Sequence, residues 1–320
     1  MKRSTGLWLL AAAALIVIGL LVFGSVIAAH GWSIAALGDI GYETHTLDIK
    51  DSFSNIAIHS DTAVIRILPS EDGKCHVILR EQPKVSHSVS VQDSTLSIEL
   101  QDMRKWYERI TLSFSSPRIT VYLPQNKYAS LLIRESTGDV TIPDGFTFKD
   151  ISINAGTGDV ICSASASNII EIVTSTGDIR TTDLRTGELN LSVSTGKVEA
   201  RSISCDRDIV IIVSTGKAVL SDIACGRFGS EGNTGNITLT NVIATGEMII
   251  KRTTGDIKLD KCDASALQLE TKTGSVSGTL LSEKTFVTRT GTGRVRVPET
   301  TASGVCRVTT STGNITFSVQ

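Results

Sequence analysis

Ser136-Thr137-Gly138-Asp139-Val140 is a five-residue word that returns, with small changes, as far as Ser311-Thr312-Gly313-Asn314-Ile315. Its glycine recurs between them at Gly158, Gly177, Gly196, Gly216, Gly235, Gly255, Gly274 and Gly293, always 19 or 20 residues on. Each of the ten glycines follows a threonine: Thr137, Thr157, Thr176, Thr195, Thr215, Thr234, Thr254, Thr273, Thr292 and Thr312. A fixed period of about 20 residues is the signature of a repeat architecture.

With each glycine as position zero, position +2 is Val or Ile in nine of ten repeats and Ala218 in the other. Positions −7 and −5 are mostly Leu or Ile, as in Leu131 and Ile133, Ile151 and Ile153, Ile170 and Ile172. Position +4 is mixed but includes Ile142, Leu220, Leu239, Leu259, Val297 and Phe317, and position +7 includes Leu184, Ile203, Ile223, Val242, Cys262 and Leu281. Spacing by two is strand periodicity. Each repeat therefore carries two short strands with a turn at the glycine. Strands this short cannot cover their own apolar faces, so the repeats must stack, each pairing in parallel with the next. The expected fold is all-β: a single-stranded parallel β-solenoid of about ten coils with a rise of ~4.8 Å per coil. No proline interrupts the chain between Pro143 and Pro298, as ladder-paired strands require.

The threonine at −1 shares the parity of the inward positions −7 and −5. It is expected to point into the solenoid, its hydroxyls forming a ladder from coil to coil. An exposed, ice-binding type of array is the alternative, disfavoured because such surfaces usually need two threonine columns and position −3 is mixed (Glu135, Val193, Val213, Arg252).

Residues 1–6 carry Lys2 and Arg3, and residues 7–29 are uncharged. A run of that length spans a bilayer with some tilt, and the basic residues before it place the N-terminus in the cytoplasm. An uncleaved single-pass signal anchor is expected, although small residues at Ala28-Ala29 leave cleavage open. Residues 30–43 read as a juxtamembrane linker. Residues 44–124 are strand-rich without the repeat word and read as a β cap over the first edge of the solenoid, which then occupies residues 125–320. Without Lys2 and Arg3, the 31 basic residues fall to 29 against 33 acidic ones, which is no nucleic-acid footprint. The chain stops just after its last repeat word, so the C-terminal coil is expected to leave an exposed edge, a candidate for end-to-end self-association.

The anchor, the Tyr42–Ile58 segment, the run Pro117-Arg118-Ile119-Thr120-Val121-Tyr122-Leu123-Pro124 and the tandem Thr-Gly-Asp-Ile/Val words together resemble the bacterial "putative adhesin" β-strand repeat family, a domain family of unknown function common in Gram-positive bacteria. The resemblance covers about residues 42–320. It implies a surface-exposed β-solenoid, and some relatives are associated with cell-envelope stress responses. It implies no catalytic residue set.

All five histidines (His30, His45, His59, His76, His87) precede the repeats, so the solenoid has no imidazole for base catalysis. No histidine-paired nucleophile, metal-spaced Cys/His set or phosphate-binding loop is legible, and no enzyme activity is expected. Position +1 stacks Asp139, Asp159 and Asp178 in consecutive coils. Their ~5 Å spacing suits Ca²⁺ or the paired carboxylates of a retaining glycosidase, but Asp also favours turns for backbone reasons alone. Cys205 and Cys225 share position +9 and should stack, most simply as buried thiols. Arg104-Lys105-Trp106-Tyr107 is a basic aromatic cluster that could contact a glycan, an anionic lipid surface or a partner protein, or pack as a cap loop.

The expected function is an adhesin-like binding or scaffolding protein at the outer face of the cytoplasmic membrane, with a cell-wall glycan or envelope protein as partner. The alternatives are an envelope-stress regulator acting through a membrane partner and, less favoured because no insertion builds a cleft, a polysaccharide-active β-helix enzyme.

Overall fold

The computed structural model describes residues 2–29, 41–82, 84–104, 116–302 and 304–320. Residues 30–40 of the expected linker, and Lys105, Trp106 and Tyr107 of the basic aromatic cluster, lie outside the described residues.

One helix, α1 (Lys2–Ala29), precedes an all-β body. Side chains at 2–7, 9–11, 26, 27 and 29 are outside the described set, and among the described residues no helix is long and apolar enough to cross a membrane. The body opens with β1 (Glu43–Ile49), β2 (Asn55–Ser60), β3 (Val64–Pro69), β4 (Cys75–Glu81), β5 (Val85–Gln92), β6 (Thr95–Asp102) and β7 (Arg118–Leu123), and the repeats begin with β8 (Lys127–Thr137).

The repeats form a parallel solenoid with ten Thr-Gly corners, hence about nine turns. The run Thr147–Thr157 pairs in parallel with β8 on one side and Ser165–Thr176 on the other, Ile153 facing Ile133 and Ile172. Beyond the corner, Val160–Cys162 lies between Val140–Ile142 and the start of Ile179–Cys205. The apolar columns at −7, −5, +2, +4 and +7 face one continuous core. At Gly216 the corner needs glycine twice over: φ is 140°, and a Cβ would collide with the carbonyl of Gly196 in the coil beneath.

A second corner was not legible from spacing by two. Asp183, Ser202, Asp222, Asn241 and Lys261, all at +6, adopt left-handed backbone with φ between 53° and 57°. The extra residue reverses the inside–outside alternation, which is why +4 and +7 can both be buried. The coil of Gly274 lacks a left-handed residue at this place: Leu280 turns in, paired with Cys262, and Leu281 is left exposed.

The cap grows directly out of the solenoid. β2 and β3 stack in parallel on β8 and on Val140–Ile142, and β6 and β7 stack in parallel on β2 and β3. Antiparallel strands then close the end, with β5 on β6 and β4 on β7, and β1 on β4. Strands β2, β3, β6 and β7 thus supply two further layers of the same core.

The far end departs from chain order. The C-terminal run Val305–Thr312 sits between Ala266–Thr273 and Thr285–Thr292, and Ile315–Val319 sits between Val276–Leu280 and Val295–Arg296. Hydroxyls follow the same order: Thr310 donates to the Gly274 carbonyl at 2.9 Å and Thr290 to the Gly313 carbonyl at 3.0 Å. The C-terminal strands are therefore internal, contrary to the sequence expectation. The exposed edge is the coil of Gly293, where Val287 and Val295 are 48% and 44% exposed.

Candidate functional site

The cap–solenoid junction brings together three side chains that sequence reasoning did not connect. Ser60 ends β2, Glu81 ends β4 and His87 lies in β5, all on inward positions of their strands. Register explains the meeting. β2 and β5 flank β6, with His59 paired to Glu99 and His87 to Leu100, so Ser60 and His87 approach from either side of Leu100. Glu81 Oε1 accepts the His87 Nδ1 proton at 2.7 Å and the His87 backbone N–H at 2.6 Å. The second imidazole nitrogen, Nε2, lies 3.0 Å from Ser60 Oγ. The pairing joins residues 27 positions apart, which no local motif records.

On the other side of Ser60 stands Glu135, its ladder partner in β8. Glu135 Oε1 accepts the N–H groups of Ala63 at 3.1 Å and Thr137 at 3.2 Å. Its Oε2 is buried with no hydrogen-bond partner among the described residues. Burial pushes this carboxyl up to about 7, against the opposing pull of the Thr137 N–H, the nearby Ser60 hydroxyl and the Ala63 N–H. Ser60 and Glu135 help to line an open hollow of about 500 Å³ with His59, Asp61, Glu99, Arg134 and Asn154.

The other sequence candidates resolve differently. The aspartate column exists, but its oxygens serve the fold. Asp139 Oδ1 accepts the backbone N–H of Asp159, Asp159 that of Asp178, and Asp178 that of Lys197, each at 2.9 Å. Arg180 reaches Asp159 at 3.1 Å and Asp178 at 2.8 Å and supplies the positive charge that Ca²⁺ would have brought. Among the described residues no group of three or more His, Cys, Asp or Glu side chains is arranged to hold a metal ion.

The threonine column is in register from coil to coil, but all ten residues from Thr137 to Thr312 are exposed, so the internal hydroxyl ladder is corrected. Position −2 drops out of the ladder, and the alternation breaks there. Threonines that are buried lie at other positions of the coil: Thr174, Thr271 and Thr310 at −3 are each 1% exposed, and Thr181 at +4 is fully buried. Arg104 is engaged by Asp102 through two bonds of 3.0 Å. All six cysteines are free and buried. Burial raises the thiols of Cys75, Cys162, Cys225 and Cys306 to about 12, so none is poised as a nucleophile.

The profile of the Toastrack DUF4097 family matches residues 53–216 and 207–320. The chain belongs to the Toastrack family. The Toastrack body also resembles solved structures. A protein described as a "putative adhesin" from Parabacteroides distasonis is 11% identical, with a TM-score of 0.52 over 87% of this chain and 98% of the other. A "putative adhesin" from Parabacteroides merdae is 13% identical, with a TM-score of 0.49 over 88% and 98%. A "putative lipid binding protein" from P. distasonis is 17% identical, with a TM-score of 0.47 over 74% and 94%. At 11% identity, the first of these speaks for the fold alone. Among curated proteins none matches the chain.

Proposed function

We propose that this chain is a membrane-anchored, extracytoplasmic binding or scaffolding protein of the bacterial cell envelope. The observation that carries the reading is the surface of the rod. Ten exposed threonines run along one corner at ~4.8 Å per coil, beside an unpaired position −2 rich in serine. A regular row of hydroxyls over many coils matches a ligand that itself repeats, such as a cell-wall glycan, through many weak bonds engaged together. The anchor rests on the sequence alone, where Lys2 and Arg3 precede the uncharged residues 7–29.

The test is sedimentation of the purified chain with isolated cell walls and with membranes. Saturable wall binding that falls at least about tenfold when Thr176, Thr195 and Thr215 are replaced together by lysine supports the reading. Wall binding indifferent to that change, or no wall binding at all, defeats it. The second outcome moves attention to a membrane partner contacted through residues 7–29.

A further inference from the structure

We propose that Ser60, His87 and Glu81 form a serine acyl-transfer site that cleaves short acyl esters of polar, polyhydroxylated alcohols. This goes beyond the binding role and does not depend on it.

The arrangement meets the geometric test for an activated hydroxyl: nucleophile within reach of a base, and the base oriented by a third group. Glu81 accepts from Nδ1 at 2.7 Å, which fixes the proton there and leaves the Nε2 lone pair facing Ser60 Oγ at 3.0 Å. The His87 and Glu81 side chains are 1% and 6% exposed, so their pairing is screened from water. A purely structural network would need only satisfied partners. Here Glu135, whose buried carboxyl feels the nearby Ser60 hydroxyl, lines the same hollow as Ser60, and no other group of the described residues reaches its Oε2. That oxygen is an acceptor to which a hydroxyl of a bound polyol would donate. Asp61, Glu99, Arg134 and Asn154 surround the hollow with charged and amide groups, which suits a polyol better than a long apolar chain.

The reaction balances without a cofactor. Ser60 Oγ attacks the ester carbonyl carbon as its proton passes to His87 Nε2. The tetrahedral intermediate collapses, the carbon–oxygen bond to the alcohol breaks, and the alcohol leaves with the proton from His87. Water then gives a proton to His87 and attacks the acyl-Ser60 ester. Collapse returns the proton to Ser60 and releases a carboxylic acid. Glu81 holds the ring through its Nδ1 hydrogen bond and steadies the imidazolium in both steps.

The full chain in detergent is treated with a fluorophosphonate probe and, separately, with p-nitrophenyl acetate. The expected result is a phosphonylated Ser60 peptide and ester hydrolysis, both lost in Ser60→Ala and both slowed at least about 100-fold in His87→Gln. Ser60→Ala removes a single oxygen and keeps the fold, checked by circular dichroism. It decides the matter even where His87→Gln does not fold. An unlabelled Ser60 in the folded wild-type chain overturns the proposal, as does hydrolysis that survives in Ser60→Ala.

Discussion

Glu135 stands at the third inward position of its run, where the next coils place Ala155, Thr174 and Val193. Its carboxyl titrates at about 7 when folded, against 4.5 for the ordinary group, because burial disfavours the charge. The sign follows from proton counts. Between pH 4.5 and 7 the folded chain binds the proton and the unfolded chain has lost it, so stability falls as pH rises through that window. The full loss above pH 7 is roughly 3 kcal/mol at 1.36 kcal/mol per unit. Glu135→Gln keeps the oxygen that accepts from Ala63 and Thr137 and removes the titration. It should raise unfolding stability at pH 8 by up to about 3 kcal/mol and change it little at pH 4, as read by urea denaturation at both values. A gain of equal size at both pH values would disprove the account. A mixed −3 column containing a glutamate is visible in the sequence. That Ser60 and His87 converge beside it is not, because the meeting depends on the antiparallel register of β5 on β6, which strand periodicity leaves open.

At the scale of the coil, alternation by two located the runs before and after each glycine but misplaced what lies between and beyond them. Reading parity straight through from −5 to −1 put the threonines inside, whereas the chain drops position −2 from its ladder and turns both −2 and −1 outward. A left-handed residue at +6 likewise hides behind an otherwise regular pattern. Its only trace is compositional: Asp183, Ser202, Asp222 and Asn241 are short polar side chains, three of them Asp or Asn, which tolerate this backbone. Lys261 holds φ at 53° without that help and is exposed. Lys261→Asn should therefore stabilise the chain by about 0.5–1 kcal/mol through relief at one corner, measured as a shift in denaturation midpoint with unchanged slope. The same exchange at Lys258, an exposed strand residue in the same coil, should bring no gain, and parity between the two sites would refute a corner effect.

Across the whole molecule, the two ends of the rod are built differently. The cap end carries antiparallel β1, β4 and β5, which stop further parallel stacking in a way that suits a solenoid's need for a blunt edge. At the other end the chain overshoots one layer with Thr285–Arg296 and returns to fill the gap with Val305–Val319. Sequence spacing cannot reveal this, since both coils carry the same word and their order in the stack is a tertiary choice. The consequence is an inverted stability gradient near the C-terminus. Residues 305–319 are flanked by coils on both sides, while residues 285–296 have one free side and uncovered apolar positions at Val287 and Val295. Amide hydrogen exchange should therefore be slower in 305–319 than in 285–296, although the former lie at the chain end. Deleting residues 305–320 sharpens the contrast. In the observed order the deletion removes the layer on which 285–296 rests, so protection in 285–296 should vanish and the run Ala266–Thr273 should become the new edge. In a stack that followed chain order, 305–319 would exchange first and the deletion would leave 285–296 protected. Nearest-neighbour coupling in a solenoid keeps the effect local, so exchange in Thr147–Thr157 should be unchanged and serves as the internal reference.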